Sequence, residues 1–179
     1  DSAEGIRQAV RYLWSKGHDR IGFLGGEPDS IVTIERKQAY SDALAELGLV
    51  EDPAAVKYGC FSAKGTKKRI LEIAETGVTA VVCISDLLAC TAVKELIHAG
   101  YSVPEDISVT GYDNLPPSEY SQPPITTLSQ NRIHIGKTTF FMLQQMKNGI
   151  RIKSLMLRPE LIERESVREI CSRELPKEK

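Results

Sequence analysis

Polar and aromatic residues follow four strand-like segments of this 179-residue chain, at the point where each segment ends. They are Gly25-Gly26, then Cys60-Phe61-Ser62, then Ser85-Asp86, and finally Tyr112-Asp113-Asn114. In an open parallel α/β sheet the carboxyl ends of the strands share one edge, and ligands bind in the crevice beyond that edge. We therefore expect a glycine turn, an aromatic ring and two carboxylates to converge on one small-molecule site.

The two carboxylates in this set are not equivalent. Asp86 precedes a predicted helix by one residue, where its side chain can accept the N2 or N3 amide, so we favour an N-cap over a ligand contact. Ser85 beside it is better placed to face the crevice. Asp113 ends a predicted buried strand, where an Asx turn and a hydrogen-bond acceptor for a hydroxylated ligand explain it equally well.

Two further side chains can contribute to such a site. Arg36 falls in the first turn of a predicted helix, where a cation opposes the helix dipole at a cost of about 0.3–1 kcal/mol. A surface arginine and a ligand-binding arginine fit that position equally well. Phe61 is by default a core phenylalanine, but a ring at a strand end can also stack on an apolar ligand face.

The sequence shows no catalytic or cofactor-binding motif. His18, His98 and His134 lack the spacing of a metal site, and the glycines around residue 25 fit neither GxGxxG nor a Walker motif. A GxSxG elbow and a catalytic cysteine context are also missing, so we predict no enzyme, no cofactor and no metal. His18 follows the predicted helix stop Gly17, where it can cap the last helical carbonyls.

The composition is that of an ordinary globular protein. The hydrophobic fraction is 41%, the charged fraction is 26% and the formal net charge is -1, which gives no electrostatic footprint for nucleic acid. The densest basic run, at residues 64–69, falls in a predicted amphipathic helix and is interpreted as a solvated face. No apolar run approaches the length of a membrane span, so we predict no membrane partner.

The cysteines indicate a reducing compartment. Cys60, Cys83, Cys90 and Cys171 show no CxxC spacing, and Cys83 lies inside an apolar run that predicts a buried thiol. This pattern favours a reduced protein over a disulfide framework. The chain lacks an initiator Met and opens directly into a helix, so we expect it to be a fragment.

Strands and helices alternate in the predicted elements that position these residues. Apolar residues from Ile6 to Trp14 recur at the spacing of an amphipathic helix, with Asp1 and Glu4 as a capping box and Gly17 as its stop. The other predicted helices are 33–47, 65–75, 87–99 and 133–146. The predicted strands are 21–24, 56–60, 79–84, 107–111, 125–128 and 155–163.

Two features of this pattern define the fold class. The strand at 79–84 is fully apolar, as expected when helices cover both faces of a sheet. Residues 115–124 contain four prolines and are predicted to be an extended loop, neither helix nor central strand. Pro159 places the last strand near a sheet edge. The prediction is an α/β fold with a doubly wound, mostly parallel sheet.

Several motifs resemble, in order and at family spacing, those of the lactose-repressor-like (LacI/GalR) bacterial transcription regulators. The run at 17–26, GHDRIGFLGG, resembles the family's GH-x-x-I…G segment, and Arg36 with Ala39-Tyr40 resembles its R-x-x-G-aromatic motif. The run at 103–114, VPEDISVTGYDN, matches the most diagnostic stretch nearly residue for residue. The runs PITTL at 124–128 and PELIERES at 159–166 match the closing motifs, so the resemblance covers essentially residues 1–170.

The resemblance implies a type I periplasmic-binding-protein-like effector domain, truncated to mainly its C-terminal subdomain. Residues 18–128 and 153–170 would form that subdomain. Residues 1–17 and 130–150 would be helices of the largely missing N-terminal subdomain, and they could pack on each other. We expect residues 171–179 to be a flexible tail. Operator DNA would be contacted only through the missing N-terminal head.

The resemblance also implies a set of ligand-binding residues. They are Ser30, Arg36, Phe61, Ser85, Asp113 and Gln130. Arg36 matches the arginine that clamps the effector, Asp113 the aspartate that accepts from ligand hydroxyls, and Phe61 the stacking aromatic.

The three remaining residues of this set supply polar groups. Ser30 matches a loop hydroxyl, Ser85 a polar contact, and Gln130 the crossover residue that faces the cleft. Ser85 stands where many members have Asn, and Ala39 stands where Gly is usual. The first departure leaves the identity of the effector open.

The resulting prediction is the effector-sensing part of a LacI-type DNA-binding regulator in the cytoplasm. A sugar or sugar phosphate would favour one subdomain arrangement and so change the DNA affinity of the head. The runner-up is an extracellular sugar-binding protein of a transporter, against which the cysteine usage and the 103–108 run argue. An enzyme on a doubly wound sheet is a third class, disfavoured because nucleophile–base and phosphate motifs are missing.

We also expect a homodimer. The predicted helix 87–99 has a stripe sufficient for the core, consisting of Leu88, Ala89, Ala92, Val93, Leu96 and Ile97. Leu87, Cys90 and Thr91 widen its weakly polar surface beyond that stripe, which suggests a second burial partner. The family resemblance places a two-fold contact on this helix and on 65–75; burial on two sides by its own subdomain is the alternative.

Overall fold

Helices and strands alternate along the chain as the hydrophobic pattern predicts. The computed structural model describes residues 1–59 and 63–173. The helices are α1 (Ser2–Ser15), α2 (Ile31–Glu46), α3 (Ala63–Ala74), α4 (Asp86–His98), α5 (Pro116–Tyr120) and α6 (Arg132–Lys147). The strands are β1 (Ile21–Leu24), β2 (Val56–Lys57), β3 (Ala80–Cys83), β4 (Ser108–Tyr112), β5 (Thr126–Ser129) and β6 (Glu160–Ile162). Among these described elements, no helix has the length and hydropathy that a bilayer span requires.

The described strands form one sheet in the order β2-β1-β3-β4-β5-β6. The first five strands in that order pair in parallel, and β6 pairs antiparallel with β5 at one edge. Strands β1, β3 and β4 are buried at every position, and because side chains alternate between faces, both faces of the sheet are covered. The predicted α/β fold with a mostly parallel, doubly wound sheet is confirmed, and the carboxyl ends of the five parallel strands meet at one edge.

Helix α1 packs on this sheet. Its apolar stripe, which includes Ile6, Val10 and Leu13, is fully buried and contacts α2, β3, β5 and β6. The family resemblance implied that residues 1–17 belong to the other subdomain, where they could pack with the 130–150 helix. The observed packing differs because α2 and the strands already cover the one apolar stripe that α1 carries. The division of the chain into two subdomains stays a prediction.

Helix α6 has the opposite environment. Within the described part of the chain none of its residues is buried, and Ile133, Phe140, Phe141 and Met146 are exposed. Exposed apolar side chains grouped on one helix are typical of an interaction surface. This is compatible with the predicted place of residues 130–150 in the other subdomain.

The proline-rich segments differ from the prediction. Residues 115–124 contain the short helix α5, with Pro116 and Pro117 in its first turn. Proline is tolerated there because the amide it lacks would have no helical acceptor. The predicted strand at 155–163 is reduced to β6, the part that pairs with β5.

Part of the predicted flexible tail is attached to the end of α1. The backbone N–H groups of Cys171 and Arg173 donate to the carbonyls of Lys16 (3.3 Å) and Ser15 (2.9 Å). The guanidinium of Arg173 also pairs with the carboxylate of Asp19. Residues 171–173 are therefore held by defined contacts, and residues 174–179 lie outside the described part of the chain.

Candidate functional site

Arg36 is a buried residue at the carboxyl edge of the sheet. Because α2 begins at Ile31, Arg36 lies beyond the first turn, and the helix-dipole argument for its position does not hold. Its side chain is buried, with a relative exposure of 6%. The guanidinium lies 3.7 Å from the centroid of the Tyr112 ring, and Nη1 donates to the carbonyl of Ile84, directly after β3.

The Arg36 guanidinium keeps an unused donor. Among the described residues its Nε–H has no hydrogen-bond partner. Burial lowers the pKa of Arg36, and interactions with Tyr112 and Asp113 oppose that shift. Buried cations are normally paired, and an unmade buried hydrogen bond is costly. An acceptor group on a ligand would supply the missing partner.

Asp113 is presented by a turn with unusual backbone angles directly after β4. Its φ is 104° and that of Asn114 is 50°, and a non-glycine residue in this region costs roughly 1–3 kcal/mol. The Asp113 Oδ1 accepts from Nε2 of Gln130 at 2.8 Å. Burial raises the pKa of the Asp113 carboxyl, and the positive charge of Arg36 opposes that rise.

The structure therefore brings together Arg36, Asp113 and Gln130 from the predicted set. Tyr112 joins them, with a ring that is buried under the guanidinium and a hydroxyl that donates to the carbonyl of Ser2 at 3.5 Å. We placed Tyr112 at the strand end but assigned it no role. Its aromatic ring next to Asp113 was the available signal, because a buried arginine commonly stacks on such a ring.

Two open cavities border this cluster. One, of about 220 Å³, is lined by Tyr112 and Gln130 together with Ile135 and Pro159. The other, also about 220 Å³, is lined by Asp113 with residues of the segment that leads into α6. Concave surfaces with a few convergent polar groups are typical of small-molecule sites.

The two predicted serines occupy helix-start positions. The Ser85 hydroxyl accepts the N–H of Leu88 at 3.4 Å and caps α4. Ser30 directly precedes α2, and within the described chain its side chain makes no capping hydrogen bond. Neither serine bonds to the Arg36 cluster among the described residues. Phe61 lies outside the described residues, so its stacking role stays a prediction.

Asp86 is neither an N-cap nor part of the Arg36 cluster, the two roles considered from the sequence. It is the first residue of α4 and its N-cap is Ser85, so the predicted N-cap role is wrong. Its carboxylate is fully buried and accepts from the backbone N–H of Leu115 at 2.6 Å and from the hydroxyl of Thr127 at 2.5 Å. Asp86 therefore links α4 to the segments that follow β4 and form β5.

Metal-ligating side chains are dispersed in the described chain. Across residues 1–59 and 63–173, no group of three or more His, Cys, Asp or Glu side chains is arranged to hold a metal ion. The candidate site at the sheet edge consists of the Arg36 cation, the Asp113 carboxylate, the Gln130 amide and the Tyr112 ring.

Comparison with known proteins agrees with this architecture. A family model described as a periplasmic binding protein-like domain matches residues 10–167. The HTH-type transcriptional repressor PurR of Vibrio atlanticus is 35% identical over 173 residues, which cover 94% of this chain and 52% of the repressor. The chain thus spans about half the length of that relative.

Solved structures share the fold as well. The Escherichia coli transcriptional repressor ascG matches with a TM-score of 0.87 and 28% identity, covering 94% of this chain and 62% of that one. The transcriptional regulator CelR, solved as a complex with cellobiose, matches with a TM-score of 0.82 and 33% identity, covering 93% of this chain and 52% of that one.

Proposed function

Since this chain belongs to the family of periplasmic-binding-protein-like domains, in the form found in LacI-type regulators, we propose that it binds the small-molecule effector of such a regulator. The observation that carries the proposal is the buried Arg36 guanidinium, stacked on Tyr112 with an Nε–H that no described residue accepts. Such a donor beside the Asp113 carboxylate is suited to a polar ligand and contributes little to the fold itself.

The proposed effector is a sugar or a sugar phosphate. Arg36 offers donor groups and Asp113 offers an acceptor, which together match adjacent ring hydroxyls. The cellobiose complex of the related regulator CelR supports this ligand class. The guanidinium covers one face of the Tyr112 ring, so a sugar face would have to stack on another side chain, and Phe61 is the predicted one.

The proposed mechanism is a shift between arrangements of this body and the other subdomain. A ligand bound between them stabilises one arrangement only through its different affinity for the two. Gln130 donates to Asp113 and directly precedes Asn131, the N-cap of α6. A ligand that takes over the Asp113 carboxylate therefore acts on the segment leading into α6, whose apolar surface is uncovered.

The proposal assigns DNA binding to an N-terminal head outside residues 1–179, and it places the regulator in the cytoplasm with its DNA. The net charge of -1 supports leaving DNA contact to another part of the protein. A transporter's sugar-binding protein and an enzyme are the competing functions. The relatives of this chain are named as transcriptional repressors, which supports the regulator over both.

The test is a thermal-shift screen of sugars and sugar phosphates on the full-length protein, followed by calorimetry with the compounds that stabilise it. Asp113→Ala should weaken the binding of such a compound by about 1–3 kcal/mol, because the partner hydroxyls are left unpaired. Glu105→Ala, an exposed carboxylate in the loop before β4, is the matched control and should bind like the wild type. Unchanged affinity in Asp113→Ala would remove Asp113 from the site.

A further inference from the structure

We propose that Asp86 is a positioning residue that fixes the turn at Asp113 and Asn114, and so aims the Asp113 carboxylate at Gln130 beside Arg36. Asp86 does not contact the ligand in this proposal. The importance of this carboxylate orientation for ligand binding rests on the proposed function. The orientation itself is a property of the fold, and the hydrogen bond between Asp113 and Gln130 can be measured without any ligand.

Both carboxylate oxygens of Asp86 accept hydrogen bonds from groups in or beside this turn. One oxygen accepts the backbone N–H of Leu115, two residues after Asp113, and the other accepts the hydroxyl of Thr127 on β5. The side chain also lies against β4, because a Cβ at Gly111 would collide with Asp86 Oδ1. Glycine at that position is therefore required for Asp86 to reach both donors.

Several hydrogen bonds hold the turn, including one from the N–H of Asp113 to the carbonyl of Leu128 at 2.8 Å and one from Arg132 to the carbonyl of Asn114 at 3.5 Å. Asp86 holds the N–H of Leu115, the Thr127 oxygen accepts the N–H of Asn114 at 3.4 Å, and Arg164 Nη2 donates to the Asn114 side chain at 2.7 Å. Two consecutive non-glycine residues with positive φ persist only where the surroundings over-determine them. Asp86 acts on two of these contacts, because it accepts from Leu115 directly and also fixes the Thr127 hydroxyl whose oxygen accepts from Asn114.

The contacts indicate that Asp86 acts on the turn chiefly through hydrogen-bond geometry. The Arg164 guanidinium bonds to Asn114, Ser118 and Ile125 and makes no ion pair with Asp86 in the described chain. An asparagine at 86 can reproduce both contacts, with its oxygen accepting from Leu115 and its NH₂ donating to Thr127. Alanine at 86 can reproduce neither.

The experiment follows the Gln130 side-chain amide by NMR in the full chain without ligand, with the resonance assigned through Gln130→Met. In the wild type the amide should show the downfield shift of a hydrogen bond to Asp113. Asp86→Ala should lose that shift, and Asp86→Asn should retain it. Either a folded Asp86→Ala with an unchanged Gln130 resonance, or an Asp86→Asn that loses the shift as fully as alanine, would overturn the proposal.

A second pair of variants keeps the test decisive if Asp86→Ala does not fold. Thr127→Val removes the bridging hydroxyl at nearly constant volume and should reduce the Gln130 shift. Thr110→Val on β4 is the matched control, because the Thr110 hydroxyl has no hydrogen-bond partner in the described chain, and it should leave the resonance unchanged. Equal spectra for both valine variants would contradict the proposal, and a failed effector screen would not affect this result.

Discussion

Arg36 and Asp86 are both buried charged residues, yet the fold uses them differently. Both oxygens of Asp86 accept hydrogen bonds from elements of the sheet edge. Arg36 has one donor used by Ile84 and one that is unpaired within the described residues. Because an unpaired buried donor costs stability, this difference is the reason why we propose a ligand contact for Arg36 and a structural role for Asp86.

His18 shows a buried titratable group away from the site. We interpreted His18 as able to cap the last carbonyls of α1, and its backbone N–H donates to the carbonyl of Leu13 at 3.1 Å. Its ring bonds elsewhere, to Thr79 and to the carbonyl of Arg168. A carbonyl can only accept, so in the neutral ring Nε2 carries the proton and Nδ1 accepts from the Thr79 hydroxyl. Burial lowers the pKa of His18.

This shift predicts a pH dependence of stability. Below about pH 6.5 the unfolded chain binds a proton at His18 that the folded chain does not, so stability should fall as the pH is lowered, until the folded pKa is reached. The slope contributed is at most about 1.4 kcal/mol per pH unit. Urea unfolding at several pH values between 5 and 8 should show this slope in the wild type and a smaller one in His18→Gln.

The control for the histidine test is His134→Gln, an exposed substitution on α6 that should keep the wild-type slope. The raised pKa values of Asp86 and Asp113 give slopes of the opposite sign, because the folded state holds those protons more tightly. The slopes contributed by Asp86 and Asp113 are the same in the wild type, His18→Gln and His134→Gln, so they cancel when the stability curves of these proteins are compared. Parallel curves for His18→Gln and the wild type would refute the assignment.

At the scale of elements, the close approach of α1 to Tyr112 at the end of β4 depends on one glycine. A Cβ at Gly5 would lie 2.6 Å from the Tyr112 hydroxyl and 2.8 Å from Pro159 Cγ. A glycine inside a helix is normally replaced by alanine with a gain of about 0.5–1 kcal/mol. At Gly5 the close approach of α1 to the ring under Arg36 should reverse that sign.

We predict that Gly5→Ala destabilises the fold by about 1–3 kcal/mol, the usual cost of overpacking. Gly136→Ala in α6 is the matched control, because a Cβ there meets nothing within 4 Å among the described residues, and it should stabilise the protein by about 0.5–1 kcal/mol. Denaturation midpoints of the two variants give the comparison. A stabilised Gly5→Ala would show that α1 does not approach Tyr112 as closely as described.

At the scale of the whole molecule, α4 presents an apolar outer face. Leu88, Ala92, Val93 and Leu96 are buried as predicted. Ile97 was placed in the core stripe, which is wrong, since its side chain is 44% exposed. The outer face thus contains Ile97 as well as Leu87, which is 58% exposed, and this breadth strengthens the expectation of a second burial partner.

We predict a homodimer through this face, so Leu87→Glu should shift the protein to monomer in sedimentation, because the carboxylate would be buried without a partner. Val50→Glu, at an apolar position that is 90% exposed in the loop after α2, is the matched control and should remain dimeric. Leu87 is preferable to Cys90 for this test because Cys90 also packs against the core. A dimeric Leu87→Glu protein would exclude the interface, and a monomeric wild type at high concentration would exclude the dimer.

The sequence by itself determined the order and type of most elements and the sheet edge at which the candidate site lies. Local periodicity reports burial, so the apolar run at 79–84 predicted β3, which is buried on both faces. The strand-end positions of Asp113 and Tyr112 followed from the alternation of strands and helices, because parallel strands end at one edge. The cap at Asp1 and the stop at Gly17 are local signals and are confirmed.

Only the tertiary structure decided which side chains meet. Asp86 bonds to Thr127, 41 residues away, and the ring of Tyr112 lies between Arg36 and Gly5. The sequence also could not show that α1 packs on this sheet, since an amphipathic stripe specifies that a face is buried but not against what. Capping and periodicity act within a few residues, whereas these contacts depend on the register and order of strands, which are set by packing of the whole domain.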